Sequence, residues 1–248
     1  MKSASPARRA IRPALAVVPR AAQGTDLIYE RLKGMAMTFA IRPGERVNEV
    51  ELARALNVSR TPLREALNRL MVDGFLTRSP NKGFSGRTLD AQQVYDLYEM
   101  RMALETGAAR IACERASDDE LLELERFVRA SKDRPEDASA ASLLALDEQF
   151  HERIALLTRN QEMVRTLRAI NARVHYVRWI DMRAGRRRHT QQEHLRIVKA
   201  LRDRDAARAS QLVETHISLR LDQIVEMIQA GFAEIYMRDR AAPAAVAG

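Results

Sequence analysis

Cysteine and long apolar runs are scarce in this chain. Of its 248 residues only Cys113 is a cysteine, which excludes an intramolecular disulfide framework and any cysteine-rich zinc fold. No apolar run approaches the roughly 18 residues that a membrane span needs. The apolar stretch after the basic N-terminus is also too short for an export signal. We therefore expect a cytoplasmic protein that does not interact with a membrane.

Helix breakers are rare over most of the chain. Between Asn81 and Ala242 the only proline is Pro135, and six of the ten glycines lie within the first 86 residues. A segment of that length with so few breakers favours an all-helical structure. Because 46% of the residues are hydrophobic and 30% are charged, the chain can bury a core, and wholesale disorder is excluded.

Positive charge is concentrated at the front of the chain. The formal net charge is +8, of which +5 falls in residues 1–24, +4 in 25–88 and −1 in 89–248. A basic front indicates a polyanionic partner, and a neutral back indicates a separate task. We predict a basic flexible tail over 1–24, a compact domain over 25–88, an all-α domain over 89–238 and a disordered tail over 239–248.

Residues 49–70 carry a helix-turn-helix pattern. Asn57 falls at the turn, where a positive φ is needed and Asn tolerates it better than most residues. Ser59 or Thr61 is expected to cap the second helix. Pro62 lies in the first turn of that helix, where its missing N–H costs nothing. The pattern therefore predicts two helices joined by a tight turn.

The second helix of this pattern leaves polar residues on its outer face, near the end that a recognition helix places in the major groove. These outward residues are Arg60, Thr61, Arg64 and Asn68. A short hairpin over 75–85 follows, and its basic tip at Lys82 and Gly83 is typical of a wing. The alternative is an ordinary helical hairpin with a solvated basic face. The turn, the cap, the two arginines and the wing together favour DNA binding.

The sequence around this motif resembles a known family. Residues 42–45 (RPGE), 51–67 (ELARALNVSRTPLREAL) and 70–76 (LMVDGFL) are similar to the winged-helix domain of GntR-type bacterial transcription regulators. The back half resembles the effector-binding FCD domain of their FadR-type branch. The resemblance runs from residue 25 to about 238. It implies a mainly-α protein: an N-terminal winged helix-turn-helix followed by an all-α helical-bundle ligand-binding domain.

The resemblance also implies how such a protein works. A homodimer binds double-stranded DNA at a palindromic operator, and a small ligand bound in the back domain modulates that binding. Arg60, Thr61 and Arg64 match DNA-reading positions of the family, and Gly83 matches the wing glycine that lies against the minor groove. Val50 departs from the family, because many relatives carry a basic residue there.

In the back half, one aspartate and three histidines have a spacing that suits a metal. Asp147 and His151 are four residues apart, so they share one face of a helix. His194 lies eleven residues before Asp205 and His216 lies eleven after it, so an antiparallel helical hairpin would place the two histidines level. Such a donor set suits Zn²⁺ or Ni²⁺. The alternative is a local Asp–His pair with two unrelated histidines, and the spacing alone leaves both open.

The resemblance bears on this choice. Asp147, His151, His194 and His216 all match the metal-binding pattern of the FCD branch, which implies one divalent transition metal. Arg101 belongs to a stretch similar to the family's Arg-x-x-Leu-Glu signature. An arginine beside a metal with open positions makes a site for a small organic acid or sugar acid. An exposed Arg101–Glu105 ion pair is the alternative.

Trp179, the only tryptophan, is a further candidate for the wall of the effector cavity, although a core role is the alternative. We predict a ligand-responsive transcription regulator rather than an enzyme. Two other functions stay open on the sequence. One is a regulator in which the ion itself is the signal, and the other is a metallohydrolase, although no second ligand of a zinc-protease helix follows His151.

Overall fold

The computed structural model describes residues 24–79, 83–132, 139–183, 187–218 and 221–237. Within these ranges the chain divides after Thr88 into two compact units. The tail predicted at the N-terminus, apart from Gly24, lies outside the described residues. So do the tail predicted at the C-terminus and Lys82. The predicted mainly-α fold is confirmed, because helices make up most of both units.

The first unit combines three helices with one hairpin. Its elements are α1 (Thr25–Met37), α2 (Glu49–Leu56), α3 (Arg60–Val72), β1 (Leu76–Ser79) and β2 (Gly83–Gly86). Leu63, Leu67 and Leu70 of α3 are fully buried, as the apolar spacing of this helix requires. β1 and β2 pair antiparallel, with Leu76 opposite Gly86.

Asparagines mark both ends of α2. The side chain of Asn48 accepts hydrogen bonds from the backbone N–H groups of Val50 and Glu51, so it caps the helix. Asn57 ends the helix with φ 56° and ψ 44°, the left-handed conformation predicted for this turn. The predicted capping of α3 is wrong: Ser59 occupies the N-cap position but makes no side-chain capping bond, and Thr61 lies inside the helix.

Seven helices make up the described part of the second unit. They are α4 (Ala91–Arg115), α5 (Asp118–Lys132), α6 (Ala140–Leu157), α7 (Gln161–Arg183), α8 (Arg187–Arg202), α9 (Ala206–Ile217) and α10 (Leu221–Met237). α4 packs against α6, α7, α8, α9 and α10, so it forms the centre of this bundle. None of the described helices is long and apolar enough to cross a membrane.

The sequence predicts one helix over 205–237, and the structure divides it. Ser218 ends α9 with φ −54° and ψ 121°. Its hydroxyl donates a 2.7 Å hydrogen bond to the carbonyl of Glu214, which also accepts the backbone N–H of Ser218 at 2.9 Å. A serine that bonds back to the preceding turn often bends a helix. Because neither glycine nor proline marks the break, the periodicity alone did not show it.

Candidate functional site

The predicted metal ligands come together in the second unit. Asp147 and His151 lie on α6, His194 on α8 and His216 on α9. One ligand atom from each of the four residues lies within 4.8 Å of all the others. The predicted hairpin geometry is correct, because Asp205 caps the start of α9 and the Nε2 atoms of His194 and His216 are 3.1 Å apart.

The separations within this cluster are those of ligands on one ion. The Nε2 atoms of His216 and His151 are 3.3 Å apart. Asp147 offers Oδ1 at 3.2 Å from the Nε2 of His194 and Oδ2 at 3.8 Å from the Nε2 of His151. Ligands bonded to one transition metal at about 2.1 Å stand roughly 3 to 4 Å from one another. The four donors therefore fit a single ion.

Two glutamates orient two of the three imidazoles. The carboxylate of Glu105, on α4, contacts the Nδ1 of His151. The Oε2 of Glu193, on α8, lies 2.8 Å from the Nδ1 of His216. A carboxylate on Nδ1 keeps the proton there and directs the lone pair of Nε2 away from it, toward a metal. Both glutamates act as supports for the histidines that the spacing identified.

The protonation states of these side chains also favour metal binding. Burial lowers the pKa of His194 to about 4 against the opposing effect of Asp147, and it lowers the pKa of His151 as well. Burial opposes the ionisation of Asp147, but Arg178 and the facing imidazoles hold its pKa well below the usual range. Two neutral imidazoles and an ionised carboxylate are the forms that bind a transition metal. The cluster could therefore hold Zn²⁺ or Ni²⁺ near neutral pH.

A polar cavity of about 290 Å³ opens beside this cluster. Among the residues that line it are Asp147, His151, Arg101 and Arg178. Arg101 is only 4% exposed, and its Nε donates a 2.6 Å hydrogen bond to Glu105. Its buried Nη2 finds no hydrogen-bond acceptor among the described residues. A buried guanidinium nitrogen without a partner is a place where an anionic ligand can bind.

The Arg101–Glu105 pair differs from the exposed pair that the sequence left as an alternative. Both side chains are buried, and Glu105 bridges Arg101 to His151. Burial would raise the pKa of Glu105, but Arg101 and His151 outweigh it and lower that pKa to about 2. Glu105 is therefore a buried anion that links the arginine to the metal cluster.

Arg178 is a feature of the cavity that the sequence did not reveal. It is 5% exposed, contacts Asp147, and donates a 3.0 Å hydrogen bond to the Oδ1 of Asn171. Trp179, in contrast, does not belong to the described lining of this cavity. Its half-buried ring stacks on Tyr176 with the ring centroids 5.6 Å apart. The residue before it on α7, Arg178, therefore lines the cavity, whereas Trp179 is not among the described lining residues.

The first unit presents the predicted DNA-reading residues on one helix. The exposed residues of α3 include Arg60, Thr61, Arg64 and Asn68. Gly83 begins β2 with φ 73°, a conformation that a side chain disfavours. The first unit therefore has the helix and the hairpin of a winged helix-turn-helix, with polar side chains at the start of α3.

Comparison with known proteins decides the family. Residues 25–85 match the family described as bacterial regulatory proteins, gntR family, and residues 96–219 match the FCD domain. Over 209 residues the chain is 47% identical to the Nta operon transcriptional regulator of Aminobacter aminovorans, across 84% of this chain and 98% of that protein. The chain belongs to the GntR family.

Further comparisons support this family membership. The HTH-type transcriptional regulator YdhC of Bacillus subtilis is 29% identical over 205 residues, which cover 82% of this chain and 92% of that protein. The solved structure of E. coli McbR/YncC superposes with a TM-score of 0.63 at 21% identity, across 87% of this chain and 98% of that one, and supports the fold. This GntR protein is therefore a DNA-binding transcription regulator with an FCD domain. Because its relatives are regulators and not enzymes, the metallohydrolase alternative is set aside.

Proposed function

We propose that this GntR regulator binds a palindromic operator as a homodimer and responds to a small carboxylate held beside a divalent transition metal in its FCD domain. The observation that carries the proposal is the position of Arg101. Arg101 lines the cavity that also contains Asp147 and His151, and its buried Nη2 has no hydrogen-bond partner among the described residues. One cavity therefore combines metal ligands with an arginine that can bind an anion.

The four ligands are the residues that would hold the metal. Asp147, His151, His194 and His216 supply one carboxylate and three imidazoles, which suits Zn²⁺ or Ni²⁺ better than a hard ion such as Mg²⁺. A bound ion would supply a Lewis-acidic position for one oxygen of the ligand.

The anion-binding step uses the chain's own groups. Arg101 keeps its Nε on Glu105 and offers Nη2 to a carboxylate oxygen, so the ligand gains a charge-assisted hydrogen bond without the loss of an existing one. The cavity volume of about 290 Å³ suits a small organic acid or a sugar acid.

DNA reading is proposed for the exposed face of α3. Arg60, Thr61, Arg64 and Asn68 are the base-reading candidates, and Gly83 lets the wing approach the backbone closely. Substitution of Arg64 by Ala is expected to cost about 1–3 kcal/mol of operator binding and to relax base preference at one position.

Metal content and melting temperature test the metal site. The wild type should contain about one equivalent of zinc or nickel per chain. Chelation should lower its melting temperature by roughly 5–10 °C, because a ligand at 100 times its Kd adds about 2.7 kcal/mol. His194→Ala should contain little metal and should not respond to the chelator. His175→Ala is the matched control, because His175 lies on α7 outside the cluster. Equal metal content in wild type and His194→Ala would remove the proposed site.

A regulator whose signal is the ion itself is the second candidate, and the completeness of the four-ligand cluster is the observation that favours it. The two functions differ in what changes DNA affinity. A metal sensor would change its operator affinity when zinc or nickel is added or withdrawn without an organic acid. An effector-responsive regulator would keep its operator affinity until the acid is added to the metal-loaded protein.

A further inference from the structure

A carboxylate lies beside the proposed DNA-reading residues of the first unit. Glu49 is the first residue of α2, and its Oε2 is 3.3 Å from the Nε of Arg64 on α3. Its other oxygen, Oε1, is 3.9 Å from the place that a Cβ on Gly83 would occupy. Glu49 therefore lies between the proposed recognition helix and the proposed wing.

This position is unfavourable for a negative charge unless the charge makes a specific interaction. DNA phosphates repel a carboxylate at the interface, and the side chain of Glu49 keeps only 18% of its surface exposed. A place in the first turn of α2 does not explain it, because Glu51 lies in the same turn, and Asn48 already caps the helix. The contact that distinguishes Glu49 is the one with Arg64.

Glu49 contacts the Nε of Arg64, an atom that a bidentate contact with a base through the terminal amino groups does not use. The closest approach joins the carboxylate to Nε, and no described residue other than Glu49 is paired with this guanidinium. Arg64 is 53% exposed, so without a partner its long side chain would sample many rotamers. A carboxylate at Nε restricts that freedom and leaves the terminal amino groups for the O6 and N7 of a guanine.

We infer that Glu49 is a specificity-determining residue of this regulator, which positions Arg64 for base reading and weakens binding to DNA of the wrong sequence. The inference rests on the proposed DNA-reading role of Arg64. Glu49 acts in two ways that lead to the same result. It orders Arg64 before binding, which favours the operator, and its charge opposes binding to DNA in which Arg64 finds no acceptor.

The experiment uses the full-length chain and two DNA duplexes. One duplex is enriched by this protein from a random-sequence library, and the other is a scrambled sequence of the same length and composition. Glu49→Ala should lower the ratio of the two affinities roughly tenfold. Its affinity for the scrambled duplex should rise. Glu49→Gln keeps an oxygen near Nε and should lose less of the ratio. Glu51→Ala, which removes the same charge from the same turn, should leave the ratio unchanged.

A second library selection separates positioning from a structural role. Glu49→Ala should relax base preference at the same base pair as Arg64→Ala, and it should have no further effect on the ratio in the Arg64→Ala background. If Glu49→Ala relaxed base preference evenly over the whole site, the inference would be overturned. It would also be overturned if Glu49→Ala lowered the affinity ratio equally in the wild-type and Arg64→Ala backgrounds. If Arg64→Ala itself leaves base preference intact, the proposed reading role fails. If only Glu49→Ala leaves it intact, the inference alone fails.

Discussion

Burial changes how much the ion pair between Arg101 and Glu105 matters for stability. An exposed pair four residues apart on a helix contributes only about 0.3–0.5 kcal/mol. Here both side chains are 4% exposed, and Glu105 also holds His151. A carboxylate whose pKa is lowered to about 2 stays ionised at neutral pH, so the loss of its arginine would leave a buried charge without its main partner.

This burial gives a prediction about stability at a single residue. Arg101→Met should lower the free energy of unfolding by about 3–5 kcal/mol, because it strands the charge of Glu105. Arg101→Met combined with Glu105→Gln should recover part of that loss, since Gln is neutral and still offers an oxygen to His151. Urea unfolding of the metal-free proteins measures the loss in the single variant and the recovery in the double variant. Losses that simply add in the double variant would contradict this account.

Two glycines of the first unit should respond to alanine in opposite directions. A Cβ on Gly86 would collide with the carbonyl oxygen of Arg42, and backbone cannot move aside as a flexible side chain can. Gly86→Ala should therefore destabilise the first unit by about 2–4 kcal/mol. At Gly34, inside α1, an added Cβ would meet no described atom within 4 Å beyond the backbone of its own helix. Gly34→Ala should add about 0.5–1 kcal/mol. Thermal unfolding of both variants tests the contrast, and equal effects would refute it.

At the level of single residues, the sequence predicted the ligands better than their supports. Asp147 and His151 are four residues apart, and helical periodicity relates such residues directly. Arg178 and Glu105 reach the cluster from other helices, 31 and 46 residues along the chain from their partners. No local pattern relates residues so far apart, since only the packing of α4 and α7 against α6 brings them together.

At the level of elements, the turn between α8 and α9 explains why the histidine pair was predictable. Asp205 caps α9 with a hydrogen bond from the N–H of Arg208, which fixes where the second helix begins. A short antiparallel turn with a known centre sets the register of both helices. The end of α9 had no such signal, because neither a glycine nor a proline stands at Ser218 or next to it.

The proposed metal would join three helices, so its removal should destabilise those helices in particular. Its ligands come from α6, α8 and α9, which are separate stretches of the chain. Chelation should raise amide hydrogen exchange in these three helices and leave α1, α2 and α3 of the other unit unchanged. His194→Ala should already show the faster exchange without a chelator. Protection that falls equally in both units, or in neither, would be evidence against a metal that joins these helices.

At the level of the whole molecule, the family membership and the division into two units indicate separate tasks. One unit carries the exposed arginines of α3, and the other carries the metal cluster and its cavity. A palindromic operator has two equivalent half-sites, so a C2 dimer matches its symmetry. Light scattering of the full-length chain should therefore give the mass of two chains, and a monomer at micromolar concentration would contradict the proposed dimer.

The nature of the signal can be decided with one conservative change in the full-length protein. Arg101→Lys keeps a positive charge beside Glu105 but loses the planar fork that receives a carboxylate. The variant should keep its metal and its affinity for the selected duplex, since neither the four ligands nor α3 changes. If a carboxylate is the effector, the acid concentration that half-releases the duplex should rise about tenfold or more, because one charge-assisted hydrogen bond is worth about 1.5–3 kcal/mol. Fluorescence anisotropy of the labelled duplex, titrated with a panel of organic and sugar acids, measures that shift. If metal addition alone releases the duplex equally from wild type and Arg101→Lys, the ion is the signal, and the carboxylate role of Arg101 is wrong.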